Sequence, residues 1–255
     1  MRVPSFLQRF VTPKSVAQPL ANLNPNQFRT EAEAFLRKKQ FYAAIPAYTK
    51  ALHYYPRSVD LFYCRGLAFF GAARELESKV KAQELFTKAS KDFEAVITLA
   101  PTHAGAYKLL ALTSFYLNPE SNLFASIHFI KAANIYFASN DFEPAISCFN
   151  MALQLNPESV DALTGLSLVY KQSDRREETV TILAKLGELY ISQGRPLDAA
   201  KIESEIKIKF SDVVAGRTQP KPFKLKLLPS LTATEIDALG DISDEGIDLL
   251  DAEAG

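Results

Sequence analysis

Residues 144–157 read PAISCFNMALQLNP, and four of these residues mark one helical face with a stop behind it. They are Ala145, Phe149 four residues on, Ala152 three further, and Pro157 five beyond that. The same spacing recurs as Ala44, Tyr48, Ala51 and Pro56, and as Ala89, Phe93, Val96 and Pro101. Steps of i, i+4, i+7 bring the first three members to one side of a helix. Proline then closes the helix, because it lacks an N–H and its ring collides with the preceding turn. Small and large side chains alternating along a face let one helix nest against another, which a stacked repeating unit requires.

Upstream of the first such helix, Phe28, Ala32 and Phe35 form a second face at the same spacing. Ala32 is the small residue at which two helix backbones approach. Val59 opens a further helix carrying Phe62, Gly66 and Phe69. These paired faces resemble the tetratricopeptide (TPR) repeat, with Glu31 departing from the leucine usual there. The resemblance implies an all-α, right-handed α-solenoid of helical hairpins, with about ten helices and a largely irregular C-terminal tail. Signature positions on this reading are Ala32, Ala44, Tyr48, Ala51, Pro56, Gly66, Ala89, Phe93, Pro101, Ala133, Ala145, Phe149, Ala152, Pro157, Gly187 and Ala199.

The spacing is uneven. Residues from about Ala73 to Glu84 are an insertion rich in Glu, Lys and Ala, strong helix formers that predict a long helix over 78–100. Either it overhangs its neighbours as a binding edge, or it is a solvated extension. From Pro101 onward, 101–156 and 157–212 read as three-helix units, in which the middle helix serves two successive repeats. The repeats are expected near 25–58, 59–102, 103–125 (partial), 126–159, 160–179 (partial) and 180–213. Residues 1–24 form an acid-poor leader, and 213–255 a linker with an acidic-hydrophobic tail.

Composition narrows the function classes. The 255-residue chain holds only 10 glycines and has a formal net charge of zero. It therefore carries no overall electrostatic footprint for nucleic acid or a membrane surface. The zero averages unlike parts: no acid precedes Glu31, and eight acids lie between Glu235 and Glu253 with no Lys or Arg after Lys226. Arg217, Lys221, Lys224 and Lys226 form a short basic patch that those acids offset. No apolar run approaches the ~18–20 residues of a membrane span. Cys64 and Cys148 read as buried small hydrophobes in a reducing, cytoplasmic setting. The leader, with Leu7, Phe10 and Val11 beside Arg2 and Arg9, leaves a mitochondrial address as the alternative.

Catalytic motifs are missing: there is no phosphate-cradling glycine loop, HExxH, CxxC or GxSxG. His53, His103 and His128 have no ligand partners at coordination spacing, and read as surface or helix-end residues. No catalytic residue, metal or cofactor is expected.

The TPR resemblance implies a protein partner held on the concave face that the first helices line. On this sequence that groove maps to Tyr63, Leu67, Phe70, Lys108, Leu112, Phe115, Ile130, Asn134, Phe137, Leu168 and Lys171. Apolar groups left in a concave groove mark a binding surface, unless the curvature buries them against neighbouring helices. The chaperone-carboxylate type of TPR clamp is disfavoured. Its first pair would be Arg29 and Glu33 with Cys64 next, and a glutamate repels a carboxylate; a later register gives Ile130, Asn134 and Gly165. In the tail, Gln219-Pro220-Lys221-Pro222 reads as an extended linker. Phe223-Lys224-Leu225-Lys226-Leu227-Leu228 alternates, Thr232 to Gly240 has capping-box spacing, and Asp244 to Ala252 sets Ile247, Leu249 and Leu250 among acids. The tail is expected to engage a second partner or to cover the groove.

Overall fold

A computed structural model describes residues 25–119 and 122–215. The described residues form eleven helices: α1 (Pro25–Arg37), α2 (Phe41–Tyr54), α3 (Val59–Arg74), α4 (Lys79–Leu99), α5 (Ala104–Leu117), α6 (Asn122–Ala138), α7 (Phe142–Leu155), α8 (Val160–Gln172), α9 (Arg176–Ser192), α10 (Pro196–Lys209) and α11 (Ser211–Ala215). Each of these helices packs on the next along the chain down to α10, and α11 folds back onto both α9 and α10. The expected all-α solenoid of hairpins is the architecture. Readings that fall on residues 1–24 and 216–255 lie outside the described residues.

One turn recurs and defines the hairpins. Lys39, Asn140, Asp174 and Gly194 all have left-handed backbone, with φ of 55°, 60°, 55° and 71°. In each case the residue after it returns its N–H to an aromatic residue's carbonyl five positions back: Gln40 to Phe35, Asp141 to Tyr136, Arg175 to Tyr170 and Arg195 to Tyr190. That bond pattern, with a left-handed residue past the helix end, is a Schellman stop. It joins α1 to α2, α6 to α7, α8 to α9, and α9 to α10. Helix α9 thus ends one hairpin and begins another.

Aligned on that turn, the hairpins share a register. The signature aromatic falls thirteen residues after the turn aromatic, at Tyr48 and Phe149. Both are fully buried, as are Phe93 and the small residues Ala32, Ala44, Ala51, Ala89, Ala133, Ala145 and Ala152. The rings press on the backbones of first helices. A Cβ at Gly66 would stand 2.6 Å from Phe93, and one at Gly165 would stand 2.2 Å from Phe149. The small residues are what permit this approach.

The insertion does not overhang as a free edge. Its first turn is exposed; from Ala82 onward one face of the helix is packed, with Ala82 and Phe86 buried, while Glu84, Lys88 and Lys91 stay exposed on the other. The reason is that α3 also runs long. Phe70 near its end meets Phe86 edge-on at 5.5 Å, and Phe86 stacks on Tyr116 of α5 at 4.7 Å. The extra length is therefore a second layer of core.

A buried ion pair ties α3 to α4. Arg65 donates through Nε and Nη2 to Asp92 at 2.8 and 2.7 Å, and through Nη1 to Thr49 of α2 at 3.3 Å. Asp92 is 4% exposed. Burial pushes its carboxyl above the usual aspartate range, against the pull of Arg65.

Candidate functional site

The helix pairs α1–α3 and α6–α8 touch directly, so first helices of successive hairpins form a continuous layer. The eleven expected groove residues divide into two groups on that layer. Tyr63, Leu67, Phe70 and Leu112 are no more than 4% exposed and belong to the core. Tyr63 sits at one end of α3 against the ring of His103, 4.6 Å away, and beside Gly105; Phe70 sits at the other end, 5.7 Å from Tyr116. These side chains fill the contact between α3 and α5, so the burial alternative holds there. The cause is visible in α3 itself, which is apolar on nearly every side and is enclosed by neighbours.

The second group remains open. Lys108 and Phe115 on α5 are half-buried, as are Ile130 and Phe137 on α6, while Asn134 is exposed. Leu168 on α8 is 45% exposed. Lys171 is half-buried and donates to Glu205 of α10 at 2.8 Å, so the end of this face is already bridged to the last long helix. The position that would open a carboxylate clamp is internally neutralised, because Arg29 donates to Glu33 at 2.8 Å.

Two features escaped pattern reading. Leu123, Phe124 and Ile127 on α6 are 57%, 64% and 40% exposed, an apolar patch at the start of that helix. Its signal, three apolar residues at i, i+1 and i+4, also fits core. The second is a groove of about 390 Å³ between α9 and α10, lined mainly by apolar side chains including Leu183, Gly187, Ile191, Ala199 and Ile206.

His103 caps α5, its Nδ1 accepting from the Ala106 N–H at 3.1 Å, and burial holds its pKa below the ordinary imidazole value. Burial lowers His128 as well, with the Lys131 charge adding to it. Cys64 and Cys148 are buried, and neither is joined in a disulfide. Burial pushes the Cys64 thiol up to about 12 and raises the neighbouring Tyr48 phenol, so neither is a nucleophile at neutral pH. Among the described residues no three His, Cys, Asp or Glu side chains converge as metal ligands, and no helix is long and apolar enough to cross a membrane.

Comparisons with known proteins agree with the repeat geometry. A tetratricopeptide repeat model matches residues 29–80, and a TPR repeat model matches residues 133–174. No curated protein sequence matches significantly. Among solved structures, the crystal structure of MamA protein is 18% identical, over 67% of this chain and 94% of that one, with a TM-score of 0.32. The human IFIT1 dimer with PPP-AAAA is 22% identical, over 78% of this chain and 49% of that one, with a TM-score of 0.42. The first match covers α1 to α3 and the second α6 to α8, where the Schellman turns and the signature aromatics stand. Over residues 29–80 and 133–174 the chain matches tetratricopeptide repeats.

Proposed function

We propose that this protein is a non-catalytic interaction scaffold, an adaptor that holds a segment of a partner protein along the open face of α5, α6 and α8. The observation that carries this reading is the half-open apolar strip of Phe115, Ile130, Phe137 and Leu168, edged by Lys108, Asn134 and Lys171. An apolar strip with a few polar groups suits an extended or helical peptide. It offers no converging cations for phosphate or carboxylate. Tyr63, Leu67, Phe70 and Leu112 support the strip from beneath and do not touch the partner. Two buried cysteines outside any disulfide fit a cytoplasmic site of action.

The test uses exposed positions, so that the array stays folded. Wild-type protein and the double variant Asn134→Arg/Leu168→Asp are immobilised, and partners are captured from the protein's own cells. Loss of one specific partner by the variant, with unchanged circular dichroism, is expected. Equal capture by both would remove the strip from the account.

The exposed patch of Leu123, Phe124 and Ile127 favours a second reading, that the protein is a subunit of a larger assembly or a holdase-type chaperone for one. Changing Phe124 to Ser then abolishes assembly while leaving strip binding intact.

A further inference from the structure

The groove between α9 and α10 has a specific origin in the register of the hairpins. Thirteen residues after the turn aromatic, the earlier hairpins place Tyr48, Phe149 and Leu183, all buried. In the α9/α10 hairpin the turn aromatic is Tyr190, and the corresponding residue is Glu203, exposed and paired with Lys207. The small partners are still in place. Gly187 and Ala199 occupy the positions of Ala32 and Ala44, yet a Cβ on Gly187 would meet nothing nearer than Ile202 at 3.7 Å. At the corresponding site on α3, a Cβ on Gly66 would collide with Phe93 at 2.6 Å. The α9/α10 hairpin therefore has the socket without the aromatic that fills it.

We propose that this groove is filled by residues 223–228 of the same chain, with Phe223 supplying the absent aromatic. Reach permits it. Val213 packs on Leu183 and Phe210, so the described chain ends at Ala215 beside the groove. Seven residues lie between Ala215 and Phe223, so eight Cα–Cα steps span up to about 26–29 Å. The groove's length along α9, from Leu183 to Ile191, is about 12 Å.

Chemistry selects this segment over its neighbours. Phe223-Lys224-Leu225-Lys226-Leu227-Leu228 sets Phe223, Leu225 and Leu227 on one side of an extended chain and two lysines on the other. The groove is apolar with Glu188 and Glu203 among its lining, so the lysines meet carboxylates. Asp244 to Ala252 would bring further acids to those glutamates. Pro220 and Pro222 lower the conformational entropy lost on docking. This inference concerns a surface separate from the α5/α6/α8 strip, so either can fail alone.

The test compares the full chain with Phe223→Asp/Leu225→Asp/Leu227→Asp, whose changes lie outside the packed helices, and with Glu203→Phe, which fills the socket from within. Zero-length carboxyl–amine cross-linking in the monomeric protein is expected to join Lys224 or Lys226 to Glu188 or Glu203. Amides of α9 and α10 are expected to exchange at least tenfold faster in the triple variant. In Glu203→Phe the lysines become open to trypsin while α9 and α10 stay protected. Unchanged exchange in the triple variant would overturn the proposal. So would cross-links found only between differently isotope-labelled copies, which would make a second molecule the occupant.

Discussion

Replacing Gly165 by alanine tests the packing register most sharply. The new Cβ would lie 2.2 Å from the Phe149 ring, and ordinary contact begins near 3.4 Å, so the ring must retreat by about 1.2 Å. Phe149 is fully buried, so its ring can retreat only by displacing its neighbours. Overpacking of this kind costs up to about 3 kcal/mol. Alanine returns about 1 kcal/mol of helix propensity, leaving a net loss of about 2 kcal/mol. Gly187→Ala is the matched control, because its Cβ has room and only the propensity gain of about 1 kcal/mol remains. Urea unfolding followed by far-ultraviolet circular dichroism measures both. The midpoint should fall for Gly165→Ala and rise for Gly187→Ala. Adding Phe149→Leu to Gly165→Ala should recover part of the loss, since the clashing ring atoms are gone. A Gly165→Ala midpoint equal to wild type would refute the stated contact between α7 and α8.

Further outcomes follow from other buried groups. The Tyr48 hydroxyl is buried beside the Cys64 thiol with no conventional hydrogen-bond partner, so Tyr48→Phe should raise stability by about 1 kcal/mol in thermal melts. Arg65→Met strands the buried Asp92 and should cost about 3–5 kcal/mol, most of it recovered in Arg65→Met/Asp92→Leu, as a double-mutant cycle will measure. Lys39 holds a left-handed backbone that Gly194 supplies in the matching turn, and Lys39→Gly should gain about 1 kcal/mol. His103 and His128 have pKa values lowered by folding, so their stabilising contribution is complete above about pH 6.5 and is lost as pH falls through the lowered values. His103→Asn keeps an acceptor at the cap and should flatten part of that acid-side decline.

The hairpins were legible in sequence because the small–aromatic–small face and its proline record backbone approach directly. Ala145, Phe149, Ala152 and Pro157 carry that information at fixed spacing, and the structure buries the first three. The lengthened α4 was legible for the same reason, since its composition sets helix length. What composition does not set is the partner of that length. Phe70, Phe86 and Tyr116 meet because α3, at 16 residues, runs on beside α4, which turns an expected edge into core. The groove residues divide on the same physics. A residue on a first helix is open or buried according to how closely the adjacent first helix packs, and Tyr63 and Phe70 carry no mark that separates them from Phe115 and Phe137. The α9/α10 groove did leave a signal: a glutamate, Glu203, stands where the register asks for an aromatic. Reading it needs the turn at Gly194 to fix that register.

Partner binding is proposed on the open face of α5, α6 and α8. Hydrogen exchange of the full chain with and without its captured partner tests it most directly. Slowed exchange confined to those helices, and absent in Asn134→Arg/Leu168→Asp, is the predicted result. Protection falling instead on α2, α4 and α7, with the strip unchanged, would contradict it.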